Sequence, residues 1–332
     1  MGLWLGFIVC SAVIVYSGSK LSRYGDVIAE KTGLGRSWIG LVLLASVTSL
    51  PELVTGISAV TYVDVPDIAV GNVLGACVVN MLTLALLDMF QRQSPLSTRA
   101  HHGHVLSAGF GILLLSVVAL TIFLGDRIAS VGWIGVNTLV FIVTYFVAMR
   151  LAYFYEKRQI AAFLKGVAVE MKYRDISMRR AVFLYAANAA VVVAAAVFLP
   201  EIGERIAAKT GLGQTFVGNV FIALSTTLPE ITVSIAAMKL DAVDLAIGNL
   251  FGSNIFNILI LAIDDFLFLR GPLLSSVHTE HIVPALLAIL MTTVAIVGLT
   301  YRAEKKPLFL AWDSIAILMM YILNVLVLYA LK

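Results

Sequence analysis

The chain has 332 residues, of which 60% are hydrophobic and only 13% charged, against about 25% charged in soluble domains. With a mean hydropathy of +0.98, this composition excludes a large soluble domain, nucleic-acid binding as a main task and disordered tails. The net charge of +3 says little until the charges are placed, and the two cysteines, Cys10 and Cys77, lie in apolar runs, which argues against a disulfide framework.

A bilayer core takes about 20 apolar residues per helix. Apolar runs between polar breaks predict ten such helices, at about residues 3–22, 37–62, 66–90, 104–124, 128–153, 178–200, 214–238, 243–268, 282–300 and 308–331. The first run lacks a basic n-region and a small-residue cleavage site, so it reads as a retained helix rather than a signal peptide. Continuous apolar runs, without alternating ten-residue segments, exclude a transmembrane β-barrel. The predicted fold class is an all-α integral membrane protein of ten transmembrane helices. With the N-terminus outside, the inside loops hold 18 Lys and Arg and the outside segments 5. The positive-inside rule then places both termini outside. The basic loop 156–177 becomes cytoplasmic, between a first half at 1–155 and a second at 178–332.

The two halves resemble one another. Residues 25–59 align with 203–237 at an offset of 178, with 17 of 35 positions identical, and 67–88 align with 244–265 at an offset of 177, with 10 of 22 identical. Thr48-Ser49-Leu50-Pro51-Glu52 recurs as Thr226-Thr227-Leu228-Pro229-Glu230, and Gly71-Asn72-x-x-Gly75 recurs as Gly248-Asn249-x-x-Gly252. The repeat cores, about 37–90 and 214–268, begin five spans apart. That is an odd number, so they cross the membrane in opposite directions. The flanks agree, since the inside flank of the first copy carries Arg36 where the outside flank of the second carries Gln214. Inverted repeats are the signature of secondary transporters, with a site near the bilayer midplane. Shared Pro, Glu, Asn and Lys are not a product of apolar composition.

Glu52 and Glu230 fall mid-span, each directly after a proline. An acid at the bilayer centre costs at least about 2.5 kcal/mol, so it reads as functional, and two at matching positions are expected to converge on the pseudo-two-fold axis. Pro51 and Pro229 remove the bonds to the carbonyls of Val47 and Ser225 and kink their helices. Thr48 and Ser49 lie four and three residues before Glu52, which is expected to place their hydroxyls near its carboxylate, and Thr226 and Thr227 are expected to do the same for Glu230. Asn72, Ala76 and Asn80 share one face of the following helix, as do Asn249, Ser253 and Asn257. Asn72 and Asn249 belong to the glycine close-approach motif and read as packing groups, whereas Asn80 and Asn257 read as ligands. The donors are all hard oxygens, which suits Ca²⁺, Mg²⁺ or Na⁺ rather than Zn²⁺ or copper. Two carboxylates balance one Ca²⁺ or two Na⁺, and competition for one site with alternating access yields antiport.

These doubled motifs resemble the alpha-repeats of the cation/Ca²⁺ antiporter superfamily, specifically its Na⁺/Ca²⁺ exchanger branch. The resemblance covers about 115 residues closely and the ten-span plan of the whole chain. It implies that Glu52 and Glu230 bind Ca²⁺ and share Na⁺. It also implies that Thr48, Ser49, Thr226, Thr227, Ser253, Asn80 and Asn257, with the carbonyls of Ala45 and Ala223, complete the sites, and that the first and sixth helices slide as a gating pair. Where the family usually has glycine before the Thr, this chain has Val47 and Ser225. A serine common after the first Gly-Asn-x-x-Gly is Ala76 here, which removes a hydroxyl from a sodium site. Asn257 resembles the potassium-independent type, which lacks Asp at that position. The expected activity is Na⁺/Ca²⁺ exchange in a cell or organelle membrane, without a cofactor or obligatory protein partner. The alternative is the same fold exchanging Ca²⁺ or Mg²⁺ for H⁺ or K⁺. An intramembrane hydrolase would need a nucleophile or a His-activated metal at mid-membrane, and neither occurs there.

Several polar residues read as background. His101, His102 and His104 fall in a short loop expected to be solvated. His278 and His281 flank Glu280 without the H-E-x-x-H spacing of a zinc protease. Asp88, Asp264, Asp265 and Asp313 are expected at solvated helix ends. Cys77 reads as packing, and the basic loop as a surface for anionic lipid.

Overall fold

The computed structural model describes residues 2–32, 48–91, 94–163, 176–239, 243–306 and 309–331. Its main helices are α1 (Gly2–Thr32), α2 (Leu50–Ser58), α3 (Pro66–Leu87), α4 (His104–Leu124), α5 (Val136–Phe163), α6 (Met178–Ala196), α7 (Leu199–Thr210), α8 (Gln214–Thr226), α9 (Leu228–Lys239), α10 (Val243–Leu267), α11 (Ile282–Tyr301) and α12 (Trp312–Leu331). One short hairpin, β1 (Ser130–Val131) against β2 (Ile134–Gly135), interrupts the helical pattern.

Among the described residues, seven runs are long and apolar enough to cross a membrane: α1, α3, α4, α6 with α7, α10, α11 and α12. An eighth is α8 with α9, bent by 44°. The other two predicted spans are present as shorter apolar helices, Leu50–Val63 and Val136–Ala152. Much of the 37–62 span lies outside the described residues, as do Ala45 and Val47. The 128–153 span is shortened because its start folds as the hairpin, where Gly132 takes φ +65°, a conformation costly for other residues. The sixth span runs past its predicted end because α7 follows α6 within the same apolar run, Met178–Thr210.

Helices α3 and α10 are buried on almost every face and form the centre. Large apolar side chains such as Phe123, Leu139, Phe183 and Leu326 are exposed on the outer helices, which suits contact with lipid. The central pair runs antiparallel. The start of α3 meets the loop after α10 through Asp67 and His278, and the start of α10 meets the loop after α3 through Asp244 and His101.

The Gly-Asn-x-x-Gly motif of the first repeat is a helix contact, as its spacing predicts. A Cβ on Gly71 would lie 3.2 Å from both the Asn219 nitrogen and the Thr215 oxygen, and one on Gly75 would collide with the Asn219 carbonyl. Small residues permit this approach of α3 to α8. Helix α1 lies on the break between α8 and α9: a Cβ on Gly18 would come within 2.6 Å of Pro229, and the Ser11 hydroxyl donates to Ser225 at 2.9 Å. Ser225 thus ties the first span to the seventh.

The acids expected at solvated helix ends are buried instead. Asp88 accepts the backbone N–H groups of Leu96 and Ala311 and pairs with Lys306 at 2.9 Å. Asp265, its repeat equivalent, accepts the N–H groups of Leu273 and Gly135 and the Thr138 hydroxyl. Each fastens the loop eight residues onward to its own helix end. Asp313 packs against Gly298, and Asp264 against Gly56. Both carboxyl oxygens of Asp264 are buried without a hydrogen-bond partner in the structure.

Candidate ion-binding site

The break in each repeat arises at Pro51 and Pro229, which cannot donate to the preceding turn. Ser49 leaves helical geometry at φ −85°, ψ 12°, and the chain resumes as α2, with Glu52 in its first turn. The corresponding restart places Glu230 in the first turn of α9. Both glutamates are buried.

The hydrogen bonds at the break are crossed. The Ser49 hydroxyl donates to Glu230 Oε1 at 2.9 Å, and the Thr227 hydroxyl donates to Glu52 Oε1 at 3.1 Å. Ser49 and Thr227 are repeat equivalents, so each repeat holds the other's glutamate. Thr48 likewise faces Glu230, and Thr226 faces Glu52. This corrects the expectation that each hydroxyl serves the glutamate three or four residues onward. That spacing assumes an unbroken helix, and the break turns the hydroxyls across the pseudo-two-fold axis. The second oxygen of each carboxylate, Oε2, is buried with no partner in the structure.

A second layer repeats the crossing. The Asn80 amide nitrogen donates to Asn254 Oδ1 at 2.9 Å, and that of Asn257 faces Cys77 Sγ at 3.9 Å. Cys77 and Asn254 are repeat equivalents at the 177 offset, and neither was predicted as a site residue. Aligning position 77 with 254 was the available signal. The Oδ1 atoms of Asn80 and Asn257 and the Ser253 hydroxyl oxygen are buried without partners. Ala76, buried on α3, presents a methyl where the second repeat presents Ser253.

Asn72 acts as a packing group, accepting the Thr226 hydroxyl at 2.9 Å and reaching the Glu52 carbonyl at 3.4 Å. Asn249 donates to Ser234 at 3.2 Å but leaves Oδ1 without a partner. The Ala223 carbonyl is engaged, accepting the Thr227 N–H at 2.9 Å and the Thr226 hydroxyl at 3.2 Å. Buried polar atoms are ordinarily hydrogen-bonded. Carboxylate, amide and hydroxyl oxygens left bare together form a donor set suited to a hard cation.

The sodium/calcium exchanger protein family matches residues 2–154 and 180–330 of this chain. The chain belongs to that family. Membership places it among membrane cation exchangers rather than enzymes. It is 26% identical over 330 residues to an uncharacterized membrane protein of Methanocaldococcus jannaschii, covering 97% of each chain. It is 25% identical over 349 residues to the sodium/calcium exchanger MaX1 of Methanosarcina acetivorans, covering 95% of each. The inner membrane protein YrbG of Escherichia coli K12 is 27% identical over 256 residues, covering 76% of each. The structure of the sodium-calcium exchanger NCX_Mj soaked with Na⁺ and Sr²⁺ superposes with a TM-score of 0.64 at 22% identity, covering 98% of each chain. That likeness establishes the shared fold: an all-helical membrane protein built from two inverted repeats.

Proposed function

We propose that this exchanger is a Na⁺/Ca²⁺ antiporter in which Ca²⁺ sits between Glu52 and Glu230 and is displaced by Na⁺ under alternating access. The observation that carries this reading is the crossed pair of hydroxyl–carboxylate bonds, which orients both buried glutamates and leaves one bare oxygen on each. Two negative charges are neutralised by one Ca²⁺ or by two Na⁺, so either cargo excludes the other and an exchange cycle needs both. Thr48, Ser49, Thr226, Thr227, Ser253, Asn80 and Asn257, with the carbonyls of Ala45 and Ala223, supply the neutral oxygens, the Ala223 carbonyl by giving up the Thr226 hydroxyl that it accepts in this structure. The name of the Methanosarcina relative supports this choice of ions. The chain is read with both termini outside and its basic 156–177 loop in the cytoplasm, between halves of five spans each.

The test is Ca²⁺ flux into proteoliposomes under an imposed Na⁺ gradient, with K⁺ and pH varied separately. Flux that follows the Na⁺ gradient supports the reading. Flux that follows pH or K⁺ instead moves the assignment to the other ion couples. Flux without any exchangeable cation on the opposite side rejects antiport.

A further inference from the structure

Two clusters outside the ion site are related by the repeat, although their histidines lie beyond the aligned segments. His101 and His104 precede His278 and His281 by the same offset of 177 that relates Asp67 to Asp244. Each aspartate stands in the first turn of a central helix, Asp67 on α3 and Asp244 on α10. Asp67 accepts the His278 backbone N–H at 2.8 Å, His278 Nδ1 at 2.9 Å and His281 Nε2 at 3.0 Å. Asp244 accepts the His101 backbone N–H at 2.7 Å and meets His104 Nε2 at 2.9 Å. The clusters mark opposite ends of α3, whose 22 residues span about 33 Å.

We propose that these clusters are a pair of latches, one at each membrane face, which position the entering turns of α3 and α10 by fastening them to the loops before α11 and α4, and that the Asp67 latch is proton-sensitive. The proposal rests on the exchanger reading above, because these two helices carry Asn80, Ser253 and Asn257. The residues are positioning residues, acting on the cargo through the helices they hold.

The two latches differ in exposure. Asp67 and His281 have side chains only 7% and 0% exposed, whereas the Asp244 side chain is 57% exposed. Water therefore screens the Asp244 latch more. At the Asp67 latch the titrating group is His278, 71% exposed and so able to exchange a proton with solvent. His281 is enclosed, with Nδ1 lacking a partner. The other groups at this latch are Glu280 beside His278, the Thr215 hydroxyl 3.4 Å from His281, and the Asp64–Arg270 ion pair at the nearby end of the second span. At the opposite latch, Arg302 donates to the Ala100 carbonyl next to His101.

The hydrogen bond from His278 to Asp67, reinforced by its charge, lifts the imidazole above its ordinary value. A raised imidazole contributes its contact fully below the ordinary histidine range and loses it as pH rises through the raised value. The Asp67 latch is therefore tight in acid and released in alkali.

The experiment compares the full-length protein with His278→Gln by hydrogen exchange at the start of α3, in detergent, at a series of pH values. Wild type is expected to exchange this segment up to about fivefold more slowly than the variant at pH 6, converging at pH 9. Asp67→Asn is expected to behave as His278→Gln does. A wild-type-to-variant ratio that does not change with pH overturns the latch, and this readout needs no transport. In proteoliposomes, acidifying the Asp67 face is expected to slow wild-type exchange more than that of His278→Gln. Equal slowing of both also overturns it. Absence of Na⁺-driven Ca²⁺ flux at every pH would instead overturn the exchanger reading, while the hydrogen-exchange comparison would still decide the latch.

Discussion

The two repeats supply the same machinery with unequal parts. Both contribute a glutamate after a proline, a hydroxyl that crosses to the other's carboxylate, and an asparagine whose amide reaches across in the second layer. The first repeat, however, carries Ala76 and Cys77 where the second carries Ser253 and Asn254. Asn80 is consequently held by a 2.9 Å amide contact, and Asn257 only by a sulfur at 3.9 Å. Outside the site, Asp264 and Gly56 face one another where the repeat-equivalent positions are Leu87 and Ser234. Strict symmetry is kept at the carboxylates, each buried and held by a hydroxyl of the other repeat, and relaxed in the layer beyond them.

Replacing the glutamates tests the symmetric part most severely. Glu52→Gln and Glu230→Gln are each expected to lower Na⁺-driven Ca²⁺ flux by about 100-fold or more, since removing one charge from a buried ionic cluster costs about 3–5 kcal/mol. A variant that retains flux would show that one repeat suffices. Ser49→Ala and Thr227→Ala come next, each lowering apparent Ca²⁺ affinity about tenfold by deleting a hydrogen bond to a charged group. A double-mutant cycle should couple Ser49→Ala to Glu230→Asp by about 1 kcal/mol and leave it independent of Glu52→Asp. The reverse pattern would break the crossed arrangement.

The unequal parts predict smaller effects. Asp264→Leu, which copies the first repeat's Leu87, is expected to raise stability by about 1–3 kcal/mol, because it removes a buried carboxyl without a partner. Thermal unfolding in detergent measures this, and a lower midpoint would show that the carboxyl is satisfied after all. Ala76→Ser restores the hydroxyl present in the second repeat. It is expected to raise apparent Na⁺ affinity about two- to fivefold, read from the Na⁺ dependence of exchange, and an unchanged dependence would retire that position as a ligand.

What was legible in the sequence follows from which signals are one-dimensional. Apolar runs and the offsets of 178 and 177 are properties of the string, so the spans, the repeat and the two glutamates could be read directly. Side-chain direction at a helix break is not. The spacing of Ser49 to Glu52 indicates proximity only if the helix continues, and Pro51 ends it. The burial of Asp88 and Asp265 was hidden because their partners are backbone N–H groups, which leave no mark on composition, and side chains distant in sequence, Lys306 and Thr138. The histidines failed for another reason. Each cluster looks like ordinary loop polarity alone, and becomes informative only when the 177 offset is carried past the end of the aligned segment.

The crossed bonds carry a consequence for descent. Each half-site is unfinished by itself, since its hydroxyl points at a carboxylate that the same half does not own. A half-length ancestor inserted in both orientations would build the full ring from two copies, with identical residues at every paired position. Fusion of duplicated genes then frees each copy to mutate alone. Ala76 against Ser253, Cys77 against Asn254 and Leu87 against Asp264 are differences that a symmetric homodimer could not hold and a single chain can.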